Sequence, residues 1–306
     1  MKSRAEYCYF QGGIKLNGDL HCHTRLSNGT LSVDELIELA KSKGLKTIAV
    51  TDHECLAGSV RAEIIGNRSD IKVISGVEIS AMDDDGNVIH VLCYLPAFPD
   101  RLEGLFQKHN DARIKAARMM HIKLKKRYPS VALDFVKRCA SGAISIFSQH
   151  FMHALVEHGE ADSLYGEVYK KLFDPASEEN IVSKPGFSSI AEVLTAVREA
   201  DGISVLAHPA KYGGFERAVE YAKLGFDGIE VWHPTASEEL SAQLLTYCKK
   251  NGLLATGGSG FHGGYNNGVF SLGAVTTPEA QVKELMGYKA KQKRLQKKKQ
   301  AEEEAE

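Results

Sequence analysis

Two histidines one residue apart, His21 and His23 in GDLHCHTRLSNG, close an apolar run and precede a turn. If that run is a β-strand, alternation puts both imidazoles on one face and Cys22 on the other. Two imidazoles aimed at one spot can hold a metal, but an isolated pair is equally at home as surface or hydrogen-bonded histidines. Recurrence decides between the two. Asp52 and His53 end a second apolar run, KTIAVTDH, Glu78 ends a third, KVISGVEIS, and His90 lies within a fourth, NVIHVLCYL; His208 and His262 close the later runs ISVLAHP and LLATGGSGFH. Imidazole and carboxylate donors without thiolate suit Mn²⁺, Fe²⁺ or Zn²⁺. Two such ions side by side bind a phosphate through its oxygens, lower the pKa of a bound water and stabilise a leaving oxygen, which is phosphoester hydrolysis.

The elements that must position these groups are βα units. Between the apolar runs lie SVDELIELAKSKG, SIAEVLTAVREADG, FERAVEYAKLG and SEELSAQLLTYCKKNG, with apolar residues three and four apart and glycine stops. Ser32 and Ser237 are predicted N-caps, each with acidic residues in the following turn that suit the helix dipole. Alternating strands and helices predict a largely parallel sheet, and in a closed βα barrel the carboxyl ends of the strands converge on one mouth. The pattern breaks between residues 98 and 183, where long stretches read as helical throughout, so a helical insertion is expected there. The barrel would then comprise residues 14–97 and 184–287. Residues 1–13 are expected to be a tail or tag remnant. Residues 288–306, YKAKQKRLQKKKQAEEEAE being nearly free of apolar side chains, are expected to form a charged tail, frayed or disordered.

Bulk composition narrows the function classes. The 306 residues are 43% hydrophobic and 25% charged, as in a globular protein with a sizeable core. A formal net charge of -1 gives no overall electrostatic reason to bind nucleic acid or an anionic membrane. The six cysteines are scattered with no CxxC pair, which fits a reducing compartment. No apolar run approaches the roughly 20 residues of a membrane helix, and the start of the sequence has no signal-peptide core. A cytoplasmic location is therefore expected, with no membrane partner.

The motifs DLHCH, TDHE, GVEIS, HVLCYL, LAHP and GFHG, in this order, resemble those of the polymerase and histidinol phosphatase (PHP) family of metal-dependent phosphoesterases. The resemblance covers most of residues 14–275. It is nearest to the branch of nucleoside 3′,5′-bisphosphate phosphatases and 5′-to-3′ oligoribonucleases. It implies an α/β fold, a distorted seven-stranded (βα) barrel with an inserted helical subdomain, and two or three Mn²⁺, Zn²⁺ or Fe²⁺ ions, with Mn²⁺ the first choice. By the same resemblance His21 and His23 hold a first metal, Glu78 bridges it to a second that also takes His90 and His208, and His53 and His262 hold a third. Asp52 is expected to orient a histidine rather than coordinate, and His208 or His262 to protonate the leaving group. The implied substrate is a phosphomonoester of a small nucleotide, or a short RNA end.

The chain departs from this pattern at two places. The family's usual SDG and SDFHG are here LSNG and GSGFHG, so Asn28 offers only a neutral oxygen to the third site and Gly260 offers nothing. The first site should therefore be weak, and Gly260→Asp should strengthen it. In the insertion, the usual GRPH with a further arginine is replaced by Phe147, Ser148, Gln149 and His150, followed by His153. Arg113, His150 and His153 become the candidate substrate contacts, with Lys115 and Arg118 as further cations. Two other readings compete: a metal-poor, catalytically impaired relative that binds a phosphorylated ligand or partner, and a metal-dependent amidohydrolase, which the absence of a strand-end lysine disfavours.

Overall fold

The computed structural model describes residues 16–268 and 270–303; the expected tail at 1–13 lies outside them. Among the described residues nine strands form two sheets. The first has the order β3-β2-β1-β9, from Lys72–Val73, Thr47–Val50, Leu16–Cys22 and Thr277–Pro278. The second has the order β4-β5-β6-β7-β8, from Gly76–Met82, Val88–Tyr94, Ile203–Leu206, Gly228–Trp232 and Leu254–Gly257. Among the described residues neither sheet closes into the seven-stranded barrel expected from the sequence. Isolated bridges instead tie the ends of the inner strands β2 and β1 to the outer strands of the second sheet, His53 to Glu78 in β4 and Cys22 to Phe261 just after β8.

The apolar run KVISGVEIS, read as one strand, is two. Its first residues pair with β2 in one sheet, and from Gly76 onward it pairs with β5 in the other. A Cβ at Gly76 would press on Thr51 and Tyr94 at 3.0 and 3.2 Å, so the glycine lets the chain cross between sheets. The expectation of largely parallel strands also fails here. β4 and β5 form an antiparallel hairpin, and β5 runs antiparallel to β6. Only Asp83–Asn87 separates β4 from β5, too short for the crossover that parallel neighbours need.

Helices cover both sheets. α1 (Val33–Ser42) begins with a capping box: the Ser32 hydroxyl accepts from Glu35 N–H at 3.2 Å, and the Glu35 carboxylate accepts from Ser32 N–H at 2.7 Å. Its buried residues Val33, Leu36, Ile37 and Ala40 repeat at helical spacing against Ile48 and Val50. Each fully buried Leu or Ile side chain stabilises the fold by roughly 1.5–3 kcal/mol. α2 (Ala57–Ser69) completes that layer. On the second sheet, α7 (Ile190–Glu199), α8 (Phe215–Ala222) and α9 (Glu238–Asn251) pack over Val77, Ile79, Val91 and Ile229, with Ser237 capping α9 through Leu240 N–H at 3.1 Å. Between the sheets lies a third layer of apolar side chains, Leu20, Ala49, Leu92, Val205 and Leu254.

Between β5 and α7 the chain is helical: α3 (Glu103–Lys125), α4 (Leu133–Cys139), α5 (Ser148–Glu157) and α6 (Glu167–Phe173). They share their own core of Leu124, Val136, Phe151, Leu155 and Leu172. At the other end, α10 (Glu279–Glu303) runs unbroken through residue 287, where the charged tail was expected to begin. Its start buries Val282 and Leu285, and Tyr288 then donates to Asp227 at 2.9 Å, so the apolar half anchors the charged half. None of the described helices is long and apolar enough to cross a membrane.

Candidate metal centre

Where the two sheets meet, one carboxylate gathers five histidines. Glu78 Oε2 lies 3.2 Å from His21 Nε2, 3.1 Å from His23 Nε2 and 3.4 Å from His53 Nδ1. Its other oxygen, Oε1, lies 3.0 Å from both His90 Nδ1 and His208 Nε2. His262 completes the ring set by stacking on His23, centroids 4.2 Å apart. The structure thus brings all seven expected metal-ligating side chains other than Asn28 around a single point. Cys22 packs on the far side among Val33, Leu36 and Ile37, as strand alternation requires.

These contacts are not an ordinary hydrogen-bond network. His23 Nε2, His53 Nδ1 and His262 Nδ1 are buried yet make no hydrogen bond, although two of them approach the Glu78 carboxylate closely. Unpaired buried polar atoms are costly, on the order of 1–3 kcal/mol each. Buried nitrogens grouped around one carboxylate and left without proton partners fit the donor set of a cation. Among the described residues three combinations place their ligand atoms within 4.8 Å of one another: His21, Glu78 and His208; His23, His53 and Glu78; and His21, Glu230 and His233.

The last of these includes two residues the sequence reading did not single out. Glu230, on β7, is fully buried; its Oε1 lies 2.9 Å from His21 Nδ1 and its Oε2 accepts from His208 N–H at 2.7 Å. It thereby orients His21 so that Nε2 faces Glu78. A charged residue inside the apolar run DGIEVWHP was the available signal, as was the second His-Pro pair at a strand end, His233-Pro234 echoing His208-Pro209. His208 itself adopts a left-handed backbone, φ 30°, held by that Glu230 contact and by Tyr212, whose hydroxyl is 2.9 Å from His208 Nδ1. Such strain at a non-glycine residue is stored where the surroundings over-determine it.

Electrostatics follow from burial and from these two carboxylates. Burial opposes charge on His21, but Glu230 and then Glu78 outweigh it and push its pKa up to about 10. Burial likewise works against ionised Glu78, yet the surrounding imidazoles hold it well below the usual carboxylate range. For His53, His208, His233 and His262 burial dominates and drives the pKa well below the ordinary histidine value, which keeps them neutral, the ligating form.

Other expected site residues take different places. Asp52 touches no histidine. It accepts from Thr24 N–H at 2.7 Å, Thr24 Oγ1 at 2.6 Å and Ser27 Oγ at 2.6 Å, pinning the turn after β1, and reaches His23 only through Ser27, 3.5 Å from Nδ1. Asn28 is buried with its Oδ1 3.3 Å from Ser27 Oγ. Arg113 gives one guanidinium nitrogen to Glu54 at 2.6 Å and Ser80 at 3.0 Å, and its plane lies over Phe147 and Phe187. His150 accepts the Phe147 N–H at 3.1 Å, and His153 Nδ1 is 2.6 Å from the Tyr265 hydroxyl. The insertion meets the cluster through Phe147, stacked 5.5 Å from His53.

A family model described as "PHP domain" matches residues 19–200. The chain belongs to the PHP family. A 5′-3′ exoribonuclease of Haemophilus influenzae is 30% identical over 251 residues, covering 80% of this chain and 89% of its own. A 3′,5′-nucleoside bisphosphate phosphatase of Chromobacterium violaceum is 29% identical over 258 residues, covering 80% and 87%. Among solved structures, a protein of Bifidobacterium adolescentis described as a candidate metal-dependent phosphoesterase superposes with a TM-score of 0.80 at 27% identity, covering 89% of this chain and 96% of that one. This PHP chain is accordingly a hydrolase of phosphoesters, with histidine and glutamate clusters fit to hold metal.

Proposed function

We propose that this PHP chain removes a phosphate from a small nucleotide, a nucleoside 3′,5′-bisphosphate, or trims short RNA ends, in the cytoplasm. The observation that carries the reading is Glu78, whose two oxygens face two different sets of imidazoles. A carboxylate so placed fits a bridge between two divalent ions. On this reading His21, His23 and His53 serve the Oε2 side, His90 and His208 the Oε1 side, with His262 beside His23 and Asn28 nearby; two or three ions, Mn²⁺ first, would be held. When bound, such ions supply Lewis-acid polarisation of the phosphate and a nucleophile from water near neutral pH.

The remaining steps fall to side chains. His208 has both ring nitrogens engaged, Nδ1 by Tyr212 and Nε2 by Glu78, so it suits a ligand better than a proton donor. His262 Nδ1 has no hydrogen-bond partner, so it is the ring left to protonate the leaving oxygen if no ion takes that nitrogen; as a ligand it has no proton to give. Burial holds its pKa well below the ordinary histidine value, which favours the neutral ligand. His153, partly exposed and tied to Tyr265, is the better placed of the insertion histidines to meet substrate. His150 and Arg113 are committed to Phe147 and Glu54 and would act by shaping the wall that carries Phe147.

Gly260 favours the metal-poor alternative, because its position offers no donor. One experiment separates the two. Protein purified without chelator is analysed for metal, then given nucleoside 3′,5′-bisphosphates and 5′-phosphorylated short RNAs with Mn²⁺. Near two ions per chain with phosphate or mononucleotide release supports the hydrolase; ligand binding without metal or turnover supports the alternative.

A further inference from the structure

We propose that His233 is itself a ligand of this metal centre and stands in for the side chain that Gly260 lacks. The proposal rests on the metal-centre reading above. His233 directly follows β7, is 7% exposed, and sets its ring 5.3 Å from that of His208 and 6.0 Å from that of His21. One of its nitrogens lies within 4.8 Å of ligand atoms of both His21 and Glu230.

Gly260 and His233 compete for one volume. A Cβ built on Gly260 would lie 2.8 Å from His233 Nε2, closer than real Cβ contacts come, and Gly260 sits at φ 56°. The space into which a side chain at 260 would project is filled by the His233 imidazole. Thr235 holds the other edge of that ring, with its hydroxyl 2.7 Å and its N–H 3.2 Å from Nδ1. Nδ1 accepts from the Thr235 N–H, so without an ion the ring proton sits on Nε2; an ion taken by Nε2, on the side of Gly260, shifts that proton to Nδ1, where the Thr235 hydroxyl accepts it. A ring nitrogen oriented by a hydroxyl on its opposite edge is how proteins prepare imidazole ligands. Glu230 is unavailable to His233 as a simple ion-pair partner, since it already serves His21 and His208.

The gain predicted for Gly260→Asp is therefore reversed: the aspartate would meet His233 rather than an open coordination position. The test is a swap. Metal content and Mn²⁺ affinity are measured for the wild type, His233→Ala, Gly260→Asp and the double variant, and the Co²⁺-loaded proteins are compared by visible absorption. His233→Ala is expected to lose about one ion per chain, or ~10–100-fold in affinity for it, with an altered Co²⁺ spectrum. Gly260→Asp alone should gain nothing, and the double variant should recover the lost ion. Thr235→Val, which leaves His233 in place, should weaken the same ion less and serves if His233→Ala fails to fold. Wild type and His233→Ala with equal metal content, affinity and Co²⁺ spectrum would overturn the role of His233 while leaving the hydrolase reading intact. A wild type that binds no divalent ion would overturn both.

Discussion

The twelve histidines divide between two environments, and the division is instructive. Seven of them, His21, His23, His53, His90, His208, His233 and His262, surround Glu78 and Glu230 where the sheets meet. The other five belong to the helices between β5 and α7. There, His121 Nε2 donates to Val131 C=O at 3.0 Å, His158 Nδ1 to Ala154 C=O at 3.0 Å, His109 Nε2 accepts from Ser188 N–H at 3.0 Å, and His150 accepts from Phe147 N–H. Both sets include fully buried rings, so burial does not distinguish them. The partner does: backbone groups bond four of the five helical rings and the Tyr265 hydroxyl bonds His153, whereas nitrogens of the first set point at a shared centre and at each other. His109 Nδ1 is also unpaired, but alone; the site is marked by several unmade bonds gathered around one carboxylate.

The strongest way to break this contrast is Glu78→Gln. It keeps the shape but removes the charge that five imidazoles share. Metal content is expected to fall to near zero and phosphate release by at least ~100-fold. Retained metal and turnover would show that the histidines alone organise the site.

Much of that site was legible because it lies at strand ends, where sequence position and spatial position coincide. His21, His23, His53, His208 and His262 follow or close apolar runs, and the fold needs only to bring the runs together. What the sequence concealed depends on three-dimensional detail. His233 has the same His-Pro context as His208, but nothing in a linear pattern says that Gly260 has vacated its neighbour's space. Asp52 was expected to orient a histidine, yet its bonds run to Thr24 and Ser27 and not directly to a ring. The split of KVISGVEIS between two sheets was hidden because an apolar run has the same composition whether or not it bends at Gly76.

Arg113 sharpens the contrast from the side of the insertion. It neutralises Glu54, which is fully buried and held below the usual carboxylate range by Arg113 despite the opposing effect of burial. Arg113→Ala leaves that charge unpaired, at a cost of about 3–5 kcal/mol. Thermal unfolding should shift down by ~6–20 °C. A substrate contact predicts instead a raised KM with little change in unfolding temperature, so the two measurements together assign the residue.

His150 contributes a smaller effect, confined to acid. Burial pushes its pKa down to about 4, below the ordinary value of 6.5 that the unfolded chain retains. Between those values the unfolded state binds more protons, so the stability due to neutral His150 is complete above about pH 6.5 and is lost as pH falls through about 4. Gln at this position keeps an acceptor for the Phe147 N–H and removes the titration. His150→Gln should match the wild type in urea unfolding at pH 7 and exceed it by up to about 3 kcal/mol at pH 4. Equal acid sensitivity would mean that His150 is protonated in the fold, and then free to meet a phosphate.

The smallest expected effect lies at His158, and it tests the division most directly because nothing there should depend on metal. His158 closes α5, donating to the Ala154 carbonyl four residues earlier, and its ring meets Phe135 edge to face at 4.2 Å. The Ala154 carbonyl already accepts the His158 backbone N–H at 3.1 Å, so the ring adds a second donor to a group the helix end has satisfied. His158→Ala removes one hydrogen bond worth about 1 kcal/mol and one aromatic contact of about 0.5–1.5 kcal/mol. Unfolding should shift by only a few degrees, equally with and without chelator, since α5 meets the cluster at its opposite end through Phe147. Metal stoichiometry should be unchanged. If instead chelator abolished the difference between His158→Ala and the wild type, the stability of α5 would depend on the metal centre, and the helical histidines would have to be counted as part of the site rather than as its structural counterpart.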